Sequence, residues 1–288
     1  MFLPEAGLPA SRRKASKLQK TSLLSPSSCQ KQRQFVFSGI YRQNHGFSAQ
    51  ALPTPTENPI SLTVNGAPWL TLMCTATHLE ALAVGFLFNE GVIASRAELA
   101  DIRLCEHGDN VDVWLTHAAE KPAAWTKTSG CAGGMTAAET LPAPTPIPVG
   151  GAPLPPAQIT ALIGMLFDNQ ELYKTTGGIH TSALSDGATI LLTAEDIGRH
   201  NTLDKLAGRA LLEGIAPARK ILLTTGRVSS EMIQKAARFG AEIVISRTSP
   251  TSLSVELAQQ SGITLIGYAH RDRFNVYTHA ERVNAQGI

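Results

Sequence analysis

Apolar and polar residues alternate from residue 60 to residue 73, and this pattern predicts the first β-hairpin. Ile60–Val64 and Trp69–Met73 flank Asn65-Gly66, which is the strongest short signal for a two-residue turn. Helical spacing follows, with Thr77-His-Leu-Glu80 in the form of a capping box and Gly91 as the stop. The apolar face predicted for this helix consists of Leu79, Leu82, Ala83, Phe86 and Leu87.

The next apolar patterns predict a second hairpin, a linker and another helix. Ile102–Cys105 and Val111–Leu115 alternate around Gly108-Asp109, as in a hairpin. Residues 142–156 contain seven prolines and are predicted to form an extended linker. Helical spacing resumes beyond it and ends at Gly177-Gly178. The apolar positions of this helix are Ile159, Leu162, Ile163, Leu166 and Phe167.

The last third of the chain has an α/β pattern. Strands over Ile179–Ala183 and Thr189–Thr193 lead into a helix that Gly214 caps. Strands and helices then alternate, which predicts a right-handed βαβαβ unit with a parallel sheet. Its strands are Ile221–Thr225, Ala241–Ile245 and Ile263–Ile266, and its helices are Ser229–Gly240 and one starting at Ser249-Pro250. The predicted fold class is α/β, with a C-terminal α/β domain and a smaller N-terminal α+β domain.

Composition and charge complete the domain prediction. The 288 residues are 43% hydrophobic, which is ordinary for a soluble globular protein. Residues 1–56 hold eight Lys or Arg and Glu5 as their single acid, a charge of +7, so the remainder carries +2 minus +7, or −5. The predicted segments are a disordered basic tail (1–56), an N-terminal α+β domain (57–141), the linker (142–156) and a C-terminal α/β domain (157–288). An interaction arm and a transit-like segment are the alternatives for the tail.

The four cysteines favour a reducing compartment. Cys29, Cys74, Cys105 and Cys131 lie at least 26 residues apart without a CxxC pair, so neither a disulfide scaffold nor a zinc knuckle is predicted. Without an apolar run long enough for a membrane span, or a signal-peptide core, the expected location is the cytoplasm. Negative charge outside the tail argues against a nucleic-acid partner. Cys74 and Cys105 fall in predicted strands and are interpreted as structural.

Cys131 has a different setting. It lies among glycines and small hydroxyl residues in Thr128-Ser-Gly-Cys131-Ala-Gly-Gly134, where a thiol is presented rather than packed. The nearby Lys127 ammonium favours the thiolate, which is the reactive form. The alternative is a structural cysteine, since free cysteines are commonly buried.

Arginines follow all three strands of the predicted parallel unit. Arg227 follows the first strand, Arg247 the second, and Arg271 with Arg273 the third. Ligands of open parallel sheets bind beyond the carboxyl ends of the strands. Planar, permanently charged donors from three loops therefore predict a site for a phosphate-rich ligand, such as a nucleotide or pterin nucleotide.

Other polar residues are weaker candidates. The run Asp196–Asn201, which includes Arg199 and His200, is predicted to be a polar helix start near these arginines, while His180 is interpreted as structural. His78-Leu-Glu80 matches the first half of a zinc-deaminase signature, but the second half, Pro-Cys-x-x-Cys, is missing. No metal site is predicted.

Several runs in order resemble the FdhD family, the formate dehydrogenase accessory sulfurtransferases, over residues 58–282. The matching runs are Leu82-Ala-Val-Gly-Phe-Leu-Phe-Asn-Glu-Gly91, Thr128-Ser-Gly-Cys131, Gly177-Gly-Ile-His180, Glu195-Asp-Ile-Gly-Arg-His-Asn201 with Leu203-Asp-Lys205, Gly226-Arg-Val-Ser-Ser-Glu-Met232, and Pro250-Thr-Ser-Leu253 through Arg273-Phe-Asn-Val-Tyr277.

The resemblance implies a sulfur carrier. A cysteine desulfurase would load Cys131 as a persulfide, and the sulfur would pass to the molybdenum cofactor, Mo-bis(molybdopterin guanine dinucleotide), of formate dehydrogenase. GDP would be a partial analogue of this ligand. The family's cofactor-binding run falls on Tyr268, Ala269, His270, Arg271, Asp272 and Arg273. The resemblance also implies a cytidine-deaminase-like C-terminal domain and a homodimer.

One position departs from the family pattern. The common motif is Cys-x-x-Cys, but Gly134 stands at its second cysteine position. A relay through one cysteine remains compatible with this, because transfer requires only attack on the outer sulfur. The competing hypothesis is a non-catalytic chaperone that binds and inserts the cofactor. Whether the chain is a sulfurtransferase enzyme therefore stays open at this point.

Overall fold

Two main β-sheets and the helices packed on them form the described part of the chain. The computed structural model describes residues 35–42, 46–122, 126–127, 135–136, 146–149 and 152–283. The strands are β1 (Phe35–Arg42), β2 (Gly46–Leu52), β3 (Asn58–Val64), β4 (Ala67–Cys74), β5 (Leu99–Leu104), β6 (Asn110–Leu115), β7 (Thr126–Lys127), β8 (Met135–Thr136), β9 (His180–Ser185), β10 (Ile190–Asp196), β11 (Ile221–Thr224), β12 (Ile243–Ser246), β13 (Thr264–Gly267) and β14 (Asn275–Val276). The helices are α1 (Leu79–Asn89), α2 (Pro156–Asp168), α3 (Glu171–Thr176), α4 (Arg199–Glu213), α5 (Ser230–Phe239) and α6 (Ser252–Gln260).

The N-terminal sheet has the order β4-β3-β6-β5. Both predicted hairpins are confirmed, since β3 pairs with β4 and β5 pairs with β6, each antiparallel. Asn65 and Gly66 adopt φ of 49° and 78°, the positive values that a type I′ turn requires at both central residues. The two hairpins join through a parallel pairing of β3 with β6.

An antiparallel pair lies in the segment predicted to be a disordered tail. β1 pairs with β2 from Phe35↔Leu52 to Arg42↔Gly46, so the prediction of disorder over residues 1–56 is corrected for residues 35–42 and 46–52. The basic charge of the whole segment suggested disorder and so concealed this pair of strands. Between residues 35 and 52, Arg42 is the single Lys, Arg, Asp or Glu. Residues 1–34 of the predicted tail lie outside the described residues.

Helix α1 is buried on most sides. All five apolar positions predicted for its face are buried, and so are Ala81, Val84, Gly85 and Asn89. The predicted capping box is wrong. His78 is the N-cap, in the left-handed conformation, and its side chain makes no capping hydrogen bond. The Thr77 hydroxyl accepts a hydrogen bond from the Lys205 ammonium instead, at 3.1 Å.

The C-terminal sheet has the order β10-β9-β11-β12-β13-β14. The predicted parallel unit is confirmed in β11, β12 and β13, whereas β9, β10 and β14 add antiparallel pairings. Its strands bury side chains on both faces: Leu222 and Val244 contribute to the core with α4, α5 and α6, while Leu223 and Ile245 contribute to the core with α2. Helix α6 starts later than predicted, because Thr251 rather than Ser249 is its N-cap.

The N-terminal and C-terminal parts meet where α1 crosses α4. A Cβ atom added to Gly85 would lie 1.7 Å from the Asp204 carbonyl oxygen, and one added to Gly208 would lie 1.8 Å from the Ala81 carbonyl oxygen. The backbones can approach this closely only because both positions lack a side chain. All the described residues belong to one compact unit.

The predicted linker is fixed where the structure describes it. Residues 146–149 have no helix or strand, and the Ile147 N–H donates to the Ser261 carbonyl at 2.9 Å. The buried Arg282 donates to the Pro148 carbonyl at 2.7 Å.

The two main sheets and six helices of the described residues confirm a mixed α/β fold. The likeness to cytidine deaminases stays a prediction. Among the described helices, none is both long enough and apolar enough to cross a membrane.

Candidate functional site

The predicted arginines lie at one edge of the C-terminal sheet. Strands β11, β12 and β13 are parallel neighbours, so their carboxyl ends meet at this edge. Arg227 follows β11, Arg247 follows β12, and Arg271 and Arg273 lie in the loop after β13. All four residues are exposed. Together these four residues form the arginine rim.

Two members of the arginine rim converge on one aromatic ring. The guanidinium carbons of Arg247 and Arg271 lie 5.5 and 6.0 Å from the centroid of the Phe167 ring. Arg271 also pairs with Asp168 at 2.8 Å. Both distances to the ring are within the range of a cation–π interaction. Two loops that are separate in sequence therefore meet over the last turn of α2.

The other two arginines have different surroundings. The pKa of His180 is held below its usual value first by burial, then by the charge of Arg199 and finally by the charge of Arg227. Arg273 lies 3.6 Å from its neighbour Asp272, and both side chains are exposed. The structure thus brings Arg247 and Arg271 together and places Arg227 next to β9 at the same edge.

The run Tyr268–Arg273 forms a tight loop after β13. Tyr268 has φ of 50°, which is costly for a bulky residue, and its side chain is 47% exposed. The N–H groups of Tyr268 and Ala269 donate to the Thr248 and Ser246 carbonyls at 3.0 Å each, and His270 N–H donates to the Arg273 carbonyl at 2.8 Å. Ala269 is fully buried, so its methyl group anchors the loop while the Tyr268 ring faces solvent.

A buried ion pair lies under the polar run that starts α4. The Asp196 carboxylate and Lys205 ammonium are 2.7 Å apart, and both side chains are fully buried. Asp196 also accepts from the Thr75 N–H at 3.0 Å and from Asn201 Nδ2 at 2.8 Å. Lys205 donates to the Thr75 carbonyl at 2.9 Å. These residues therefore hold the end of β4 against α4, and they point inward rather than toward the arginine rim.

His200, which lies in the same polar run, is also buried. Its Nε2 lies 3.3 Å from the Ser229 hydroxyl and 3.9 Å from Glu231. Burial, and next the charge of Lys235, lower the pKa of His200 to about 3, so the ring is neutral near pH 7. Within the described ranges there is no group of three or more His, Cys, Asp and Glu side chains that could hold a metal ion.

A second buried charge cluster joins three helices. Lys235 of α5 lies 2.6 Å from Asp204 of α4 and 3.7 Å from Glu90 at the end of α1. Burial lowers the pKa of Lys235, but the two carboxylates outweigh this effect and the pKa ends above its usual value. The ammonium is therefore charged, as a paired buried group should be. The cluster therefore ties α1, α4 and α5 together.

The cysteines that the structure describes are held in place. Cys74 is fully buried, and desolvation, with a smaller contribution from Asp196, raises its pKa to about 12. Cys105 donates to Asp109 at 2.9 Å and accepts from the Asn110 N–H at 3.2 Å, in the turn between β5 and β6. The positions of both fit the structural roles predicted for them.

Cys131 lies outside the described residues, as does Cys29. The described backbone on either side nevertheless forms a pair, since Thr126↔Thr136 and Lys127↔Met135 are antiparallel partners in β7 and β8. Cys131 is the middle residue of the seven that connect these strands in the sequence. Its predicted role stays a prediction.

Sequence reasoning missed one functional candidate in the described site, Phe167. Its spacing in α2 marked it as one of five apolar positions, and the structure places it half-buried beside the core that contains α2. One signal was available in the sequence: an aromatic residue near the end of a helix that comes before the arginine-bearing loops. That signal could not show which arginines would reach the ring.

Comparison with known proteins decides the family. A family model described as the FdhD/NarQ family matches residues 55–284. The chain belongs to the FdhD/NarQ family. The resemblance seen in the sequence is thereby confirmed, and the matched residues include the arginine rim, Phe167 and Cys131.

Individual relatives agree with this assignment. The chain is similar to the sulfur carrier protein FdhD of Bacillus subtilis (strain 168), with 37% identity over 240 residues that cover 79% of this chain and 89% of the relative. It is similar to the protein of the same name from Staphylococcus aureus (strain MRSA252), with 36% identity, 79% of this chain and 88% of the relative. A crystal structure described as a formate dehydrogenase accessory protein from Desulfotalea psychrophila matches with a TM-score of 0.68 and 29% identity, covering 87% of this chain and 97% of that one.

Proposed function

We propose that this protein is a sulfur carrier for formate dehydrogenase. It would take sulfur from a cysteine desulfurase as a persulfide on Cys131 and deliver it to Mo-bis(molybdopterin guanine dinucleotide). The observation that carries this proposal is the family match over residues 55–284, whose curated relatives are named sulfur carrier proteins. The proposal places the protein in the cytoplasm, as a homodimer, with the desulfurase and formate dehydrogenase as partners.

The chemistry of loading requires a nucleophilic thiolate. The Cys131 thiolate would attack the outer sulfur of the desulfurase persulfide, form a new S–S bond and release the desulfurase cysteine as its thiolate. Cys74 is unsuited to this step because burial keeps it protonated and covered. Lys127 lies four residues from Cys131 and would favour the thiolate there.

Mass spectrometry tests the loading step directly. After incubation with a cysteine desulfurase and cysteine, the peptide that contains Cys131 should gain the mass of one sulfur atom, and reduction should remove it. Cys131→Ala should abolish the gain and the activation of formate dehydrogenase, while Cys105→Ala should change neither. Full activation by Cys131→Ala would disprove the carrier mechanism.

The arginine rim would hold the guanine nucleotide portion of the cofactor. Arg227, Arg247, Arg271 and Arg273 supply charged donors at the edge where ligands of parallel sheets bind, and the exposed Tyr268 offers a ring for a base to stack on. His270, Asp272 and the backbone of Ala269 complete the proposed cofactor-binding run. Each charge-assisted contact contributes about 1.5 to 3 kcal/mol, which is about tenfold or more in affinity.

Titration calorimetry with GDP, as half of the cofactor, tests the arginine rim. Arg271→Ala should weaken GDP binding by about tenfold, and added salt should weaken the parent as well. Arg103→Ala, an exposed arginine of β5 in the other sheet, is the matched control and should bind GDP like the parent. Equal affinity of the Arg271→Ala variant and the parent would remove the arginine rim from the proposal.

A non-catalytic cofactor chaperone remains the second candidate function. Gly134, at the position where the family pattern has its second cysteine, favours it, because an intramolecular disulfide cannot form there. In that case GDP would bind as above and the desulfurase would leave no sulfur on Cys131. The persulfide measurement therefore separates the two functions.

A further inference from the structure

The last turn of α2 carries a ring that two arginines share. Phe167 is half-buried and packs against the core between α2 and the C-terminal sheet. Arg247 and Arg271 approach the ring from loops that follow different strands, at 5.5 and 6.0 Å from its centroid. Two positive charges therefore lie within cation–π distance of one ring.

Arg271 is directed along α2 by two further features. Its Nη2 donates to Asp168 at 2.8 Å, and a Cβ atom added to Gly164 would lie 2.9 Å from its Nη1. The ion pair itself contributes little, because the two side chains are 59% and 68% exposed. The Phe167 ring is the fixed element of this arrangement, since it is held by the core.

We infer that Phe167 is a positioning residue that holds Arg247 and Arg271 ready for the phosphates of a guanine nucleotide. Two free arginines would repel each other and would lose side-chain entropy when a ligand binds. A shared ring reduces both costs, because it offsets the repulsion and restricts the side chains before binding. The inference rests on the proposed function of the arginine rim and adds a residue that does not itself contact the ligand.

Substitution of the ring tests this role. Phe167→Leu keeps an apolar side chain in the core but removes the aromatic face, and it should weaken GDP binding by about tenfold. Phe167→Tyr keeps the face and should stay within about twofold of the parent. Phe239→Leu is the matched control, because Phe239 lies under Lys220 at 4.9 Å and ends α5, at the opposite edge of the sheet. It should bind GDP like the parent.

A double-mutant cycle separates positioning from a general structural effect. If Phe167 acts through the arginines, Phe167→Leu should have no further effect on GDP affinity in a variant that already carries Arg247→Ala and Arg271→Ala. An equal loss in both backgrounds would overturn the inference, and so would parent-like GDP affinity of Phe167→Leu when the arginine variants are weakened. Parent-like affinity of the arginine variants would instead overturn the proposed arginine rim. If Phe167→Leu does not fold, Phe167→Met takes its place with the same expectations.

Discussion

Replacing Gly208 by alanine should destabilise the protein, although alanine is the better helix former. A Cβ atom at Gly208 would lie 1.8 Å from the Ala81 carbonyl oxygen, and real Cβ contacts are essentially never shorter than 3.0 Å. The backbones of α1 and α4 would therefore have to separate by at least about 1.2 Å, the difference between these two distances. A gap of this size forfeits much of the dispersion energy across the interface.

The expected magnitude follows from two opposing effects. Forced repacking costs about 3 kcal/mol, the upper end of the usual range, and the higher helix propensity of alanine returns about 1 kcal/mol. The net loss of about 2 kcal/mol should lower the melting temperature by about 4 to 8 °C for a chain of this size. Urea unfolding followed by circular dichroism measures the loss directly.

Gly164→Ala is the matched control for this substitution. Gly164 is also helical, but an added Cβ would meet the end of the exposed Arg271 side chain, which can move away. This variant should be as stable as the parent or slightly more stable, because only the propensity effect remains. If Gly208→Ala unfolds at the same urea concentration as Gly164→Ala, the close crossing of α1 and α4 does not limit stability as argued.

Three further outcomes are expected. Lys205→Met leaves the Asp196 charge buried without its partner and should cost about 3 to 5 kcal/mol in urea unfolding, while Arg103→Met in an exposed pair should change nothing measurable. Because the folded pKa of Cys74 is about 12 against an ordinary 9.0, stability should be retained below pH 9 and fall as pH rises above it, and Cys74→Ala should show a flatter dependence between pH 9 and 11. The folded pKa of His200 is about 3 against an ordinary 6.5, so the unfolded chain takes up a proton at a higher pH than the folded protein does. Stability should therefore fall as pH drops below 6.5, by about 2 kcal/mol near pH 5. His200→Gln should lose this part of the pH dependence, and an unchanged pH profile in this variant would contradict the argument.

Elements with strong local periodicity were predictable from the sequence. The three parallel strands and helices α4 and α5 appeared where apolar runs and glycine stops placed them. The helix predicted to run on to Gly177 is instead two helices, α2, which ends at Asp168, and α3, which Gly177 caps. The capping box at Thr77 failed because Lys205, far along the chain, binds that hydroxyl. The pair β1–β2 was missed because charge was averaged over a long segment. Local patterns thus predicted helices and strands well, but they could not predict contacts with residues that are remote in sequence.

The candidate site was predictable in its location but not in its arrangement. Strand order alone put the arginines on one edge, since parallel strands end together. Whether Arg271 points toward α2 or toward solvent depends on the loop, in which Tyr268 adopts a positive φ that its residue type disfavours. The inward direction of Asp196 likewise depends on Lys205 and Thr75, which are remote in sequence. Side-chain directions of this kind depend on tertiary contacts.

The crossing of α1 with α4 also has a consequence for synthesis on the ribosome. Helix α1 ends at Asn89 and α4 begins at Arg199, so the 109 residues from 90 to 198 are translated before the partner helix begins. At about 5 to 20 residues per second, this delay is about 5 to 20 seconds. Throughout that time the α1 face around Gly85 lacks its cover, and the nascent chain presents an apolar surface that a chaperone can bind. Slower translation of the segment between the two helices should therefore increase chaperone dependence during synthesis without changing the stability of the finished protein.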